Sequence, residues 1–328
     1  MKVKIEEVRT KLAQVFENSG AEGDMIDWLV DLAIGHELEG SMFSGFEGGP
    51  EGVAVPAEMF EIIETLDVDR PALKLINGNG KSAKIIMKEL IPLASKWAKE
   101  QGQIFIGFKN CGYHSSLSTI ARKFAENDLI CIYSANGGPQ GVVPYGGTKD
   151  ICGTNPIAYG IPTFGNPIVF DAATAQYAYG SIKIAREKGL KLPADSYLDE
   201  VGNYTTEPTS ARSIVAFGGY KGYAINLLLE VMTGALVGGV SGTLQTTENE
   251  IGGFLMLIDP SALGDLDDFK GQVDQLIADI ESNKPAKGFK EVRVPGYRSQ
   301  KLRQKQLDTG FVEIDEKVWK KFVKELDK

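Results

Sequence analysis

The chain has 328 residues, 43% of them hydrophobic and 24% charged, enough for two domains or one large domain with a lobe. Its 44 acidic and 35 basic side chains give a net charge of −9, which argues against nucleic acid or an anionic membrane as the main partner. Three cysteines (Cys111, Cys131, Cys152) without a C-x-x-C pair fit a reduced cytoplasm. The opening "MKVKIEEVRTKLAQVF" carries acidic residues inside its apolar pattern, unlike a signal peptide. The longest apolar run, 224–237, is interrupted by Asn226, Glu230 and Thr233 and is too short and polar to span a bilayer.

In chain order, Val8, Leu12, Val15 and Phe16 recur at helical spacing, and Asp24 can cap a second helix ending near Gly35. After a glycine-rich loop, Pro56 can open a third helix carrying Met59, Phe60, Ile63 and Leu66. A fourth helix is expected over 82–101. The apolar runs "QIFIGFK" and "LICIYSA" have strand length and flank the helical "STIARKFAEN". "NPIVFD" reads as another strand, followed by a helix over 173–188, a polar loop and a long apolar helix after Lys221. "FLMLID" and "EVRVPG" read as the last strands, 272–280 is amphipathic, and Asp315 caps the final helix. The sum is a mixed α/β fold with a helical N-terminal lobe (1–115), an α/β region (116–290) and a C-terminal tail (291–328).

Several short motifs invite chemistry. "GHELEG" at 35–40 resembles half of a zinc-protease motif, but Gly40 stands where the second histidine belongs, and His114 is the only other imidazole. That argues against a metal, and the simple reading of His36 is a solvated helix end. "LINGNGKSAKI" mimics phosphate loops, yet Asn79 alone separates Gly78 from Gly80, too close for a P-loop; a turn followed by a Ser82 helix cap explains it without a ligand. "GGYKGYAINLLLE" places glycines and Lys221 immediately before an apolar helix, which suits either a phosphate anion or a tight loop into a buried helix. "PYGGTKDICGTNP" packs glycines, Thr154 and Asn155 into a dense loop, and Asp171 ends a strand where ligands gather.

Four ordered blocks, "GGTKDICGTNPIAYGIP", "IVFDAATAQYAYGSIKIAREKG", "GGYKGYAINLLLEVMTG" and "VRVPGYRS", together resemble the malate/L-lactate dehydrogenase-like family of NAD(P)-dependent oxidoreductases over nearly the whole chain. The resemblance implies a non-Rossmann fold with a largely antiparallel sheet flanked by helices, an extended groove for NAD or NADP, and a homodimer. It assigns cofactor binding to Val169, Phe170, Asp171, Ala172, Ala173, Lys221, Gly222, Gly296, Tyr297 and Arg298, with Lys221 taking the pyrophosphate and Arg298 the adenosine end. The family's proton-transfer histidine falls on Glu39, and its substrate arginine falls on Phe43. Its second histidine falls on Tyr113 beside His114, and a nearby serine falls on Gly137. Glu39, Tyr113 and His114 are therefore the candidate proton-transfer groups, with Phe43, Gly137, Thr154 and Asn155 on the substrate side. Loss of the arginine clamp and a glutamate facing the substrate predict a cationic amine or iminium rather than an ordinary 2-oxo acid. The alternatives are a non-redox isomerase or lyase keeping the groove, and a catalytically silent NAD(P)-binding protein.

Overall fold

The computed structural model describes residues 1–40, 46, 50, 53–55, 66–114, 116–138, 141–178, 180–247 and 250–327. The helix expected from Pro56, with Met59, Phe60 and Ile63, lies outside the described residues, as does Phe43. Leu66 belongs instead to a strand, β2 (Leu66–Arg70), which pairs with β3 (Leu73–Asn77) as an antiparallel hairpin. A short β1 (Lys2–Lys4) leads directly into α1 (Ile5–Asn18), and α2 (Asp24–Leu38) follows with Gly23 at its cap. Ser82 caps α3 (Ala83–Gln101) by accepting a hydrogen bond from Lys84 N–H.

Then come β4 (Gln103–Cys111), α4 (Leu117–Ala125), β5 (Ile130–Ala135), β6 (Val142–Val143), β7 (Ile157–Ile161) and β8 (Ile168–Ala172). The helix expected from residue 173 begins later, as α5 (Gly180–Lys188), because residues 174–176 are drawn into backbone bonds: Thr174 N–H to Thr154 O and Gln176 N–H to Val215 O. The rest comprises β9 (Tyr197–Leu198), β10 (Ser213–Val215), α6 (Tyr220–Thr233), β11 (Ile251–Ile258), α7 (Leu266–Glu281), α8 (Tyr297–Thr309), β12 (Phe311–Glu313) and α9 (Glu316–Leu326). "EVRVPG" is not a strand; it runs as irregular chain, alternately exposed and half-buried, and ends in the left-handed Gly296 that starts α8.

Among the described residues, the main sheet has seven strands in the order β2-β3-β4-β11-β5-β7-β8. Every neighbouring pair is antiparallel except β3 and β4, which α3 joins as a crossover. This is the non-Rossmann, largely antiparallel arrangement expected. Strands from both sides of residue 115 share it, so the N-terminal residues are not a separate helical body. α3 and α4 bury Met87, Leu90, Ile120 and Phe124 against Ile106, Tyr133 and Leu255 of the sheet.

A second core unites the two ends of the chain. β1 pairs with β12, and Val8, Leu12, Phe16, Leu29 and Ile34 pack with Phe46, Trp319 and Phe322. The C-terminal segment thus returns to α1 and α2, and Asp315 caps α9 by accepting from Lys317 and Val318 N–H. A three-stranded sheet, β6-β10-β9, packs with α5 through Val142, Ile182, Tyr197 and Ile214 as a third core.

Candidate active site

The end of α2, the start of α4, β8 and the start of α8 converge around a cavity of about 390 Å³. Its walls are His36 and Glu39 from α2; Ser116, Ser118 and Arg122 from α4 and its cap; Val169, Phe170 and Asp171 from β8; and Gly296 and Ser299. Each contributor is fixed by a specific device. Gly160 in β7 brings α4 onto the sheet, since a Cβ there would overlap the Ala121 carbonyl oxygen. Gly296, at φ +80, does the same for α8, where a Cβ would overlap Val169 O. The buried Gln306 of α8 donates to the buried C-terminal end of α2, at Glu37 O (3.0 Å) and Leu38 O (2.8 Å), which holds the following Glu39 in place.

Inside the cavity, Ser118 joins two carboxylates. Its backbone N–H donates to Asp171 Oδ2 at 2.9 Å and its hydroxyl to Glu39 Oε2 at 3.0 Å. Arg122 Nη2 donates to Glu39 Oε1 at 3.1 Å, so both oxygens of Glu39 are engaged and its charge is paired. Asp171 sits at the positive start of α4 and remains wetted by the cavity. Crowding by protein pushes its carboxyl up to about 6; Ser118 N–H opposes the rise, Glu39's charge adds to it and Leu117 N–H opposes it. His36, one turn before Glu39, is not a solvated helix end: it is partly buried in the cavity wall. Burial lowers its pKa, Lys84's charge lowers it further and Glu39 partly offsets them, so the ring is neutral at pH 7.

A second cavity of about 270 Å³ adjoins the first, sharing His36, Ser116 and Asp171 as lining residues. It adds Tyr113, His114, Asn136, Gly137 and Thr154, which brings the C-terminal end of β4 together with the loop before β7. Tyr113 is 62% exposed, with Lys84 Nζ 5.6 Å from its ring centroid. His114 is only 4% exposed, and its Nδ1 lies 2.6 Å from the Tyr133 hydroxyl. Burial holds it neutral, lowering its pKa to about 3, and its Nε2 is buried with no partner among the described residues. Gly137 allows tight contact with Thr154, whose backbone N and hydroxyl would overlap a Cβ there.

Asn155 lies behind this surface. At φ +37 and fully buried, it accepts from Gly137 N–H at 3.0 Å and donates to Asn226 O and Glu230 Oε2 of α6. Asn226 in turn donates to Gly153 O and Thr174 Oγ1, so the dense loop, β8 and α6 form one buried polar network.

The expected cofactor residues are partly gathered here. Val169, Phe170, Asp171 and Gly296 line the first cavity; Ala172 ends the same strand and Ala173 follows it. Tyr297 and Arg298 open α8, Arg298 exposed, while Ser299 faces the cavity. Lys221 is exposed and Gly222 buried in the first turn of α6; neither lines the two joined cavities. That turn borders a separate cavity of about 550 Å³, lined among others by Gly218, Gly219, Tyr145, Gln176 and Tyr223.

The phosphate-loop mimic is a structural turn, as expected: Gly78 N–H and Gly80 N–H donate to Lys109 O and Asn110 O. Among the described residues, no group of three or more His, Cys, Asp or Glu could hold a metal. Sequence reasoning left Ser116, Ser118, Arg122 and Ser299 out of the site. For Ser118 and Arg122 the usable signal was their one-turn spacing on one face of the same helix.

The family model described as malate/L-lactate dehydrogenase matches residues 3–323. The L-sulfolactate dehydrogenase of Methanothermobacter thermautotrophicus is 30% identical, the alignment covering 100% of this chain and 98% of that protein. The Delta(1)-pyrroline-2-carboxylate/Delta(1)-piperideine-2-carboxylate reductase of Pseudomonas syringae pv. tomato is 27% identical over 92% of this chain and 90% of its own. The solved sulfolactate dehydrogenase of Methanocaldococcus jannaschii superimposes with a TM-score of 0.85 at 25% identity, covering 100% of this chain and 98% of that one.

Proposed function

Because the chain belongs to the malate/L-lactate dehydrogenase family and is an oxidoreductase, we propose that it moves a hydride between NAD or NADP and a small polar substrate, a hydroxy or oxo acid or an imine or amine. The observation that carries this reading is the pair of joined cavities. One is walled by the β8 and Gly296 blocks and the other by Tyr113, Gly137 and Thr154, with His36, Ser116 and Asp171 where they meet. Both are small-molecule spaces, each of roughly the few hundred Å³ such ligands occupy.

The residues present fit a nicotinamide dinucleotide. Arg122 has a buried donor without an acceptor among the described residues, the β8 backbone is brought to the cavity edge, and the start of α6 offers N–H groups beside Lys221. Val169, Phe170, Asp171 and Gly296 would hold the cofactor, with Ala172 and Ala173 extending that wall and Lys221, Gly222, Tyr297 and Arg298 flanking its ends. When bound, the nicotinamide gives or takes the hydride. Gly137 and Thr154 stand on the substrate side, to which the family register also assigns Phe43, and Asn155 positions Gly137 from behind.

Reduction of a carbonyl or imine needs a proton, and oxidation releases one. His36 and Asp171 stand at the meeting of the cavities and supply or remove it, with the Tyr113 hydroxyl at the outer edge. His114 shapes the floor through Tyr133, and Glu39, with both oxygens occupied, orients Ser118 and Arg122. The apolar outer face of α6 supports a homodimer as the working unit, and three buried free cysteines support a cytoplasmic protein.

Fluorescence titration with NADH and NADPH tests the reading. Saturable binding of at least one is expected, followed by turnover of a 2-oxo acid or cyclic imine in a substrate panel. Absence of binding by both sinks it.

A further inference from the structure

We infer that Arg122 is the oxyanion anchor of this site: its guanidinium takes a carboxylate or phosphate oxygen of the bound ligand. The inference rests on the proposed function and deepens it, because it names the ligand group and the side chain that reads it.

Arg122 is 7% exposed and lines the first cavity. A guanidinium carries five N–H donors in a planar fork and stays charged. The protein uses one nitrogen, Nη2, to Glu39 Oε1 at 3.1 Å. No described group accepts from Nη1, and Nε is buried without an acceptor. A buried donor left unpaired carries a desolvation cost, so an acceptor brought by a ligand to this guanidinium has a real advantage.

Glu39 makes the arginine a fixed reader rather than a mobile surface charge. It is held by Ser118 on one oxygen and Arg122 on the other, and the main chain before it is held by Gln306. The pair is largely buried on both sides, 9% and 12% exposed at the side chains, so solvent does not screen it away. Glu39 balances one side of the guanidinium, and a second anion completes the fork. Among the described residues lining this cavity, Arg122 is the one permanent cation. Asp171 faces the same space and titrates close enough to neutral pH to take up the proton that admits a further negative charge. On its far side the Arg122–Glu39 pair borders a smaller cavity of about 160 Å³, where Arg9, Arg303, Lys123, Asp31 and Glu126 already mix both signs.

The register that places the family's substrate arginine on Phe43 therefore need not mean that anions are rejected. The cation comes from α4, pointing back toward the end of α2, in place of one from the segment after α2. The ligand class is an oxyanion: a substrate carboxylate, or the phosphate of a dinucleotide.

Arg122→Met and Arg122→Lys, with thermal melts as the folding control, test this and separate the two sources. A charge-assisted hydrogen bond of roughly 1.5–3 kcal/mol corresponds to about a ten- to hundredfold effect. If the oxyanion is the substrate's carboxylate, Arg122→Met raises KM for that substrate by this factor with little change in kcat or in cofactor affinity. If it is the cofactor's phosphate, the dissociation constant of NADH or NADPH rises instead. Arg122→Lys restores part of either loss, because it keeps the charge without the fork, an outcome a packing role would not produce.

A melt unchanged from wild type together with KM and cofactor affinity both within about twofold overturns the inference while leaving the proposed function standing. Wild-type protein provides the check that needs no variant: oxalate or inorganic phosphate should raise its Tm, oxalate competing with substrate or phosphate with cofactor. Protection by neither also overturns it, whereas loss of NADH and NADPH binding by wild type overturns the broader reading.

Discussion

Asp171 combines an open position at the junction of two cavities with enough crowding to push its carboxyl up to about 6, against 3.8 for the free side chain. A carboxyl raised on folding binds more protons in the folded state between those two values. Its contribution is therefore fully present below about pH 4 and lost as pH rises through about 6. Asp171→Asn retains an oxygen acceptor for Ser118 N–H and cannot ionise. The Tm of the variant relative to wild type should increase between about pH 4 and pH 8, and a flat difference across that window refutes the assignment. If Asp171 also moves the reaction's proton, the pH–rate profile of wild type has a limb near 6 that the variant lacks. His36→Gln separates the second proton-transfer candidate: kcat is expected to fall by about 10²- to 10⁴-fold with cofactor affinity unchanged. A kcat within threefold of wild type would assign the proton to other groups.

At the scale of elements, the site depends on α4 lying close enough to β7 for Ser118 and Arg122 to reach Glu39. Gly160 permits that approach, and Gly160→Ala forces Cβ into the Ala121 carbonyl. A loss of about 2 kcal/mol or more is expected, read as a fall in Tm of about 5 °C, together with weakened ligand binding because α4 carries the anchor. An unchanged melt would contradict the packing.

The same elements show what a sequence makes legible. The Ser82 cap, the apolar runs of β4 and β5 and the Asp315 cap are local signals, and each lies where expected. The β1–β12 pairing joins residues at opposite ends of the chain, and no local pattern announces it. "EVRVPG" alternates like a strand but has no neighbouring strand to receive its hydrogen bonds in the described structure. In the site, the β8 block and Gly296 were readable through their resemblance to a family. Arg122 reads in isolation as a surface charge, because only the tertiary placement of α2 supplies Glu39. His36 was set aside for the same reason: its cavity exists only once β8 and α4 are in place.

At the scale of the whole molecule, α6 is apolar almost all round, a pattern that buries a helix on every side or leaves one face for a partner. Its inner face is used: Gly222, Asn226, Leu229, Glu230 and Thr233 are buried. Its outer face is not, and Leu227, Leu228 and Val231 stand 44%, 56% and 48% exposed along one side, continued by Leu236. Such a stripe, with an N-terminal turn already tied to the β8 segment through Phe217 N–H to Thr174 O, is the surface on which the proposed homodimer would close. Placing a charge at its centre with Leu228→Glu, or at Val231 with Val231→Lys, should convert the dimer to monomer in sedimentation velocity while leaving the monomer folded. Activity should fall with dimer content, because Asn226 and Glu230 on the opposite face hold Asn155, which holds Gly137 against the second cavity. A variant that sediments as a dimer would remove α6 from the interface. A fully active monomer would show instead that the α6 network is rigid without its partner.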